Sequence, residues 1–233
     1  WKGGDLCVIR DDSNLEFLSF ADLLPLKIFV PTGCKLHYDH PNITYVEFDP
    51  SIEAIPALFD HFEQSSFNIL LFDLFCIDHE LMVKWWVQFF KDINRYKQIY
   101  PMPSWKLIID EINDICPGAN RTFVKSQRTL SSNVYYNMKK YRKVRLGLVG
   151  STHNWNDLHK AVRNQFNYII LKNMRAEMAP ERMWSYRYKL EKLPVNKVWI
   201  LDESSRFQMD VKWTLKSLDH RAGNQDRVHP SKQ

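Results

Sequence analysis

The run Lys106-Leu107-Ile108-Ile109-Asp110-Glu111 sets two adjacent carboxylates directly after a short apolar stretch. If that stretch is a buried strand, both acids emerge at its carboxyl end, the edge of an open α/β sheet where ligands sit. In nucleotide hydrolysis such a pair divides the work. The aspartate joins the magnesium shell and the glutamate polarises the attacking water. The plainer reading is an apolar strand that closes in a charged turn. A second run, Leu146-Gly147-Leu148-Val149-Gly150-Ser151-Thr152-His153, ends in two hydroxyls and an imidazole. These groups can hydrogen-bond a γ-phosphate or the attacking water. Here the plainer reading is a capping turn that leads into Asn154.

A third grouping is basic: Lys139, Lys140, Arg142, Lys143 and Arg145 fall within seven positions. A solvated helix face accounts for most isolated charge runs. The functional reading is phosphate contact, with DNA or with the nucleotide of a neighbouring subunit. His37-Tyr38-Asp39-His40 brings two imidazoles and a carboxylate together, but a metal site needs further ligands converging in space. A polar loop before Pro41 is the simpler account. Asp73 closes another apolar run, so a metal-dependent nuclease built on Asp73, Asp110 and Glu111 is an alternative. The Gly-x-x-Gly-Ser-Thr of residues 147–152 has the outline of a shortened phosphate loop without its lysine, and Gly-x-x-x-x-Gly-Lys-Ser/Thr occurs nowhere in the chain.

These residues need strands and helices to hold them. Asp5–Arg10, Lys27–Val30 and Thr44–Phe48 read as short strands rich in β-branched and aromatic residues. Ser51–Gln64 reads as a helix capped by Ser51, with Pro56 tolerable near its first turn. Asn68–Leu74 is a nearly unbroken apolar run, the mark of a strand covered on both faces. From Asp78 to about Gln98, Leu81, Trp85, Phe89 and Ile93 recur every four residues, flanked by Met82, Trp86 and Phe90, which predicts a core helix. Pro101 and Pro103 end it. Trp105–Ile109 is a buried strand and Ser126–Lys143 a polar, basic helix. Leu146–Gly150 is a strand, Asn154–Gln165 a helix capped by Asn154, and Tyr168–Leu171 a further strand. A helix around Pro180–Lys192 starts with proline in the first turn. Lys197–Leu201 and Phe207–Val211, split by Glu203-Ser204-Ser205, predict a closing hairpin. The alternation implies an α/β domain with a largely parallel sheet over residues 1–218, followed by a polar, flexible tail over 219–233.

At 233 residues, 45% hydrophobic and 25% charged, the chain can bury a real core. That composition excludes disordered, collagen-like and disulfide-scaffold proteins. Cys7, Cys34, Cys76 and Cys116 form no C-x-x-C pair, so free thiols in a reducing cytoplasm are expected. No apolar run approaches the ~18–20 residues that cross a bilayer, and no membrane partner is expected. Lys and Arg total 32 against 27 Asp and Glu, a net charge of +5. That balance permits a phosphate-backbone partner without requiring one.

The order of these features resembles the HerA/FtsK branch of RecA-like ATPases, which includes archaeal and viral DNA translocases and packaging ATPases. The resemblance rests on a Walker B-like strand ending in Asp110-Glu111, then Pro117, then the Arg142-Lys143 pair. It continues with the strand ending in Ser151-Thr152-His153, Asp157-Leu158-His159-Lys160 in register with an Asp-Leu-x-Lys helix, and the strand Tyr168–Leu171. It is strong over 105–172 and weaker elsewhere, where Pro25–Pro31 and Leu193–Val211 look like further family segments. The resemblance implies a three-layer αβα fold of RecA type with a mainly parallel central sheet and a C-terminal β-hairpin.

By the same resemblance, Asp110 serves Mg2+ and Glu111 activates water. Thr152 and His153 hold the sensor position, Ser151 and Thr152 contact nucleotide, and Arg142 acts on ATP. Lys139, Lys140, Lys143 and Arg145 are DNA-contact candidates. His153 departs from the family's glutamine, and its charge would vary near neutral pH. ATP, Mg2+, DNA and a homo-oligomeric, hexamer-like ring are the implied cofactors and partners. The family's phosphate loop precedes the strand at Asp5–Arg10 and the sequence starts at Trp1, so an N-terminal piece carrying that loop is expected upstream. The implied function is a DNA-associated motor ATPase core for translocation or packaging, inactive without that loop. The alternatives are a non-catalytic DNA-binding or assembly relative and the nuclease.

Overall fold

The computed structural model of the chain describes residues 5–11, 15–118, 122–194, 197–202, 206–210 and 230–232. In chain order the elements are strands β1 (Asp5–Arg10), β2 (Leu26–Pro31), β3 (Cys34–Leu36) and β4 (Ile43–Phe48), one-turn helix α1 (Ile55–Leu58), strand β5 (Phe67–Leu70) and one-turn helix α2 (Phe72–Phe75). Then follow α3 (His79–Ile99), β6 (Ser104–Ile109), α4 (Ile112–Ile115), α5 (Lys125–Tyr141), β7 (Leu146–Gly150) and α6 (Lys160–Arg163). The chain continues through β8 (Ile169–Leu171), α7 (Arg187–Glu191), β9 (Lys197–Leu201), β10 (Arg206–Asp210) and β11 (Pro230–Lys232).

Six strands form the central sheet in the order β4-β2-β5-β1-β6-β7, and every neighbouring pair is parallel. Side chains alternate across it with the period of a strand. On one face Leu6, Val8, Phe29, Leu70, Leu107 and Ile109 pack under α3 and α5. On the other, Ile9, Ile28, Val30, Ile69 and Leu71 pack against Leu18 and Ala21 of the 3₁₀ segment Glu16–Asp22. The near-continuous apolar runs of β1, β2 and β5 follow from this two-sided cover.

The long helix is where the periodicity placed it. The Asp78 side chain caps α3 by accepting the Leu81 N–H at 3.1 Å. Trp85, Trp86, Phe89, Phe90 and Ile93 are fully buried, with Phe72 and Trp85 stacked at 4.5 Å and Trp85 and Phe89 at 5.4 Å. Leu81 departs from the stripe and is half exposed.

Several expected elements are shorter or differently built. Ser51–Gln64 is not one helix but a 3₁₀ turn, the single turn α1 and another 3₁₀ turn, and the Ser51 side chain makes no capping bond. Pro56 stands in the first turn of α1, where its missing N–H costs no helical bond. The strand expected through Leu74 stops at Leu70, and the chain coils into α2. Asn154 caps only the 3₁₀ turn Trp155–Asp157. Beyond it Leu158 bridges to Pro117 and the His159 N–H bonds the Cys116 carbonyl at 2.8 Å, which pulls the segment out of helix before α6. Pro180 stands before the 3₁₀ segment Glu181–Tyr186 rather than inside a helix, and α7 follows.

Tyr168–Leu171 does not join the parallel sheet. Ile169–Leu171 pairs antiparallel with β9, and β9 with β10, giving a second, three-stranded sheet that contains the expected hairpin. Val211 lies outside the described residues. So do most residues of the expected tail, while β11 within it pairs antiparallel with β3. The four cysteines are free thiols.

Candidate active site

Because β1, β6 and β7 are parallel, their carboxyl ends form one rim. Asp110 and Glu111 follow β6, and Ser151, Thr152 and His153 follow β7. Ser151 ties the two runs together. Its N–H bonds the Ile109 carbonyl at 3.0 Å, and its own carbonyl accepts the Ile112 N–H at 2.9 Å. Its hydroxyl donates to Asp110 Oδ1 and accepts the Glu111 N–H at 3.0 Å. One hydroxyl therefore orients one carboxylate and anchors the backbone that carries the next.

Glu111 sits at φ 44°, in the left-handed region, at the start of α4. A non-glycine residue there costs about 1 kcal/mol or more, and the bonds to Ser151 hold it in place. Its side chain is 13% exposed and meets His153 Nε2 at 3.1 Å, while the His153 side chain is 91% exposed. Burial pushes the Glu111 carboxyl above the ordinary glutamate range, a shift that His153 opposes and Asp110 reinforces. The Thr152 hydroxyl donates to Asn113 Oδ1 at 2.7 Å. That bond turns it toward α4.

Below the rim lies a buried charge pair that local sequence pattern does not reveal. Arg10, the last residue of β1, is 1% exposed. It bonds the Asp73 carboxylate through Nε at 2.9 Å and again through Nη2. Asp73 Oδ1 accepts the Trp86 indole N–H at 2.7 Å. Arg10 Nη1 reaches the backbone carbonyls of Asp110 at 2.5 Å and Glu111 at 3.4 Å, so the guanidinium supports the acidic turn from beneath. Asp114 lies 4.0 Å from Nη2, and burial raises its carboxyl pKa against the opposing pull of Arg10. A charged residue ending an otherwise apolar strand was the available signal. Both Asp73 oxygens are engaged, and among the described residues Asp73, Asp110 and Glu111 do not form a group disposed to hold a metal, as the nuclease alternative requires.

The basic residues are elsewhere. Lys139 and Lys140 lie in the last turn of α5, and Arg142 directly follows the helix. Arg145 precedes β7 in a left-handed conformation, and its guanidinium contacts Met102 Sδ at 2.7 Å. Lys139 Nζ rests over the Tyr135 ring, 4.4 Å from its centroid. Five residues of β7 separate this end from Ser151, about 16 Å at strand rise. Arg142 therefore does not meet Asp110 and Glu111 of its own chain. His40, from the His37–His40 run, bonds Asp22 at 3.2 Å.

Among the described residues no group of three or more His, Cys, Asp or Glu side chains is disposed to hold a metal, and no helix is long and apolar enough to cross a membrane. A magnesium ion needs less. It binds through one or two carboxylates and completes its shell with water and substrate phosphate. Asp110 is an oxygen donor of that kind, on a rim where Asp110, Glu111 and Asp114 outweigh Arg10 in charge.

No family model and no curated protein matches the chain. Among solved structures it is similar to the genome packaging NTPase B204 from Sulfolobus turreted icosahedral virus 2 in complex with ATPγS, at 16% identity and a TM-score of 0.46, over 90% of this chain and 98% of that one. It is also similar to the bacterial conjugative coupling protein TrwBΔN70, at 12% identity and a TM-score of 0.46, over 70% of this chain and 43% of that one. A third is the pCW3 conjugation coupling protein TcpA with ATPγS, at 11% identity and a TM-score of 0.44, over 89% of this chain and 52% of that one. The chain is thus similar in structure to proteins described as packaging NTPases and conjugation coupling proteins, while the chemistry it can perform depends on its own rim.

Proposed function

We propose that the chain is the core of a nucleotide-driven DNA motor, in which Asp110 holds Mg2+ and Glu111 polarises the water that attacks the terminal phosphate of ATP. The observation that carries this reading is the Ser151 hydroxyl, shared between the Asp110 carboxylate and the Glu111 N–H, with His153 on the far side of Glu111. When bound, the metal would neutralise phosphate charge and orient the leaving group. The chain's own part is to hold Glu111 aimed, with His153 opposing the rise in its pKa. His153 donates toward the phosphate, Thr152 does so by exchanging its bond to Asn113, and Ser151 contacts the nucleotide beside them. Arg142, at the opposite end of β7, acts on the nucleotide of a neighbouring subunit in a ring. Lys139, Lys140, Lys143 and Arg145 contact DNA phosphates.

Glu111→Gln should abolish Mg2+-dependent ATP hydrolysis while leaving the binding of a fluorescent ATP analogue within about twofold, because the amide keeps the shape and loses the charge that polarises water. Unchanged turnover would remove Glu111 from the mechanism. The pH–rate profile should carry an acid limb above the ~4.3 of an unperturbed glutamate, since Glu111 must be ionised to act and its pKa is raised.

One observation favours a second reading, a non-catalytic DNA-binding or assembly module. These 233 residues contain no Gly-x-x-x-x-Gly-Lys-Ser/Thr to cradle a triphosphate. Titration of the fluorescent ATP analogue with magnesium separates the two. Saturable binding weakened by Asp110→Asn supports the motor, and its absence in the full-length gene product supports the module.

A further inference from the structure

Beside the central sheet runs a groove of about 1030 Å³, which the residues of the nucleotide reading touch only at its ends, Arg142 at one and Ser151, Thr152 and His153 at the other. Every residue of β7 lines one wall, and consecutive residues Tyr168 to Met174, which include β8, line the other. A cavity against a sheet face is lined by alternate residues, and one against a sheet edge by consecutive residues. The groove therefore lies between two edges. Both strands are terminal in their sheets, β7 in the order β4-β2-β5-β1-β6-β7 and β8 in the order β10-β9-β8.

The register shows which main-chain groups face it. The Arg145 carbonyl accepts the Trp105 N–H at 2.9 Å, and Ser151 exchanges bonds with Ile109 and Ile112, so the odd-numbered residues of this strand turn toward β6. Directions alternate along a parallel strand. The N–H and C=O groups of Leu146, Leu148 and Gly150 consequently point into the groove, and among the described residues no strand pairs with them. An edge of this kind is a template for another strand. The link from β7 through α6 to β8 is a helical crossover of the sort that joins parallel strands. Val149 and Ile170, 53% and 64% exposed, offer apolar surface in the groove. Lys106, Arg142 and Arg145 line its end at the start of β7, with Lys172 on the β8 wall, and among the described residues no Asp or Glu lines it.

We propose that the groove seats an added β-strand: an extended apolar polypeptide segment, acidic at its start, that runs parallel to β7 and pairs with β7 on one side and β8 on the other. Pairing with both edges would join the two sheets. The acidic start would meet the basic end, and the strand would finish beside Ser151. Main-chain bonds supply the affinity, and the apolar walls supply the selection for side chains.

The probe is the capped peptide Glu-Val-Ile-Val-Ile-Gly, added at up to millimolar concentration to the 233-residue chain while amide hydrogen exchange is followed residue by residue. Exchange at Leu146, Leu148 and Gly150 should be fast in the free chain and should slow by about tenfold or more with peptide. Glu-Val-Pro-Val-Pro-Gly, which cannot pair, should have no effect. Leu148→Pro removes a groove-facing donor together with a partly buried side chain and should abolish the protection, with unchanged exchange at Val149 reporting an intact sheet. Three results would overturn the proposal: no protection at these amides, equal protection by the proline peptide, or concentration-dependent protection without peptide, which would assign the groove to a second copy of the chain.

Discussion

At Glu111 the backbone adopts a conformation that costs energy, and burial raises the pKa of the side chain. The backbone conformation is sustained from outside the turn, by Ser151 from β7 and by Arg10 from β1. Arg10 is the more exposed to disruption, because its charge is buried and its main partner, Asp73, is buried too. Arg10→Met should destabilise the fold by about 3–5 kcal/mol by stranding the Asp73 carboxylate, and Arg10→Met with Asp73→Leu should recover most of that loss. Urea unfolding of the three proteins checks this. Equal stability of the single and double variants would show that loss of Arg10 does not strand the Asp73 carboxylate. Glu111 bears on stability with a definite sign. Its pKa is higher folded than unfolded, so the folded state binds more protons, and the contribution present below the unfolded pKa is lost as pH rises through the folded one. Glu111→Gln should therefore raise the melting temperature at pH 7 and leave it nearly unchanged at pH 3.

Strand β7 carries two glycines with different reasons to be small. A Cβ on Gly150 would lie 2.9 Å from Ile112 Cδ1 and 3.0 Å from its Cγ2, against a buried side chain of the turn that carries Glu111. A Cβ on Gly147 would meet only the side chain of Lys106, which can swing into solvent. Gly150→Ala should cost about 1–3 kcal/mol through overpacking, while Gly147→Ala should be within about 0.5 kcal/mol of the parent. Thermal unfolding of both variants tests the contrast. The same strand explains why the helix expected over Asn154–Gln165 is cut short. The loop after β7 is used to bridge back to Pro117 and Cys116, and a segment that gives its N–H groups to another part of the chain cannot also give them to a helix.

Across the molecule, an acidic and a basic cluster stand at opposite ends of β6 and β7. Asp110, Glu111 and Asp114 stand at the carboxyl ends of the strands, and Lys139, Lys140, Arg142, Lys143 and Arg145 at the amino end of β7. A net charge of +5 says nothing of this separation. Replacing Lys139, Lys140 and Lys143 by Gln should weaken DNA binding uniformly across sequences and flatten the dependence of log K on log salt by about 0.9 for each phosphate no longer neutralised. An unchanged slope would place the DNA elsewhere. Much of this arrangement was legible beforehand, because the strands at Asp5–Arg10, Trp105–Ile109 and Leu146–Gly150 and the helix from Asp78 are marked by local composition and period. Their parallel order then sends Asp110, Glu111 and Ser151 to one rim. What local pattern cannot carry is partnership across the chain. Arg10 finds Asp73 across a separation of 63 residues, Thr152 finds Asn113, and Ile169–Leu171 turns from the central sheet to pair with β9. The sequence by itself determined which segments bury apolar surface and with what period, since these depend on residues a few positions apart. Only the tertiary structure decided which charges neutralise one another and which strand edges stay open, because those depend on distances the chain acquires when it folds.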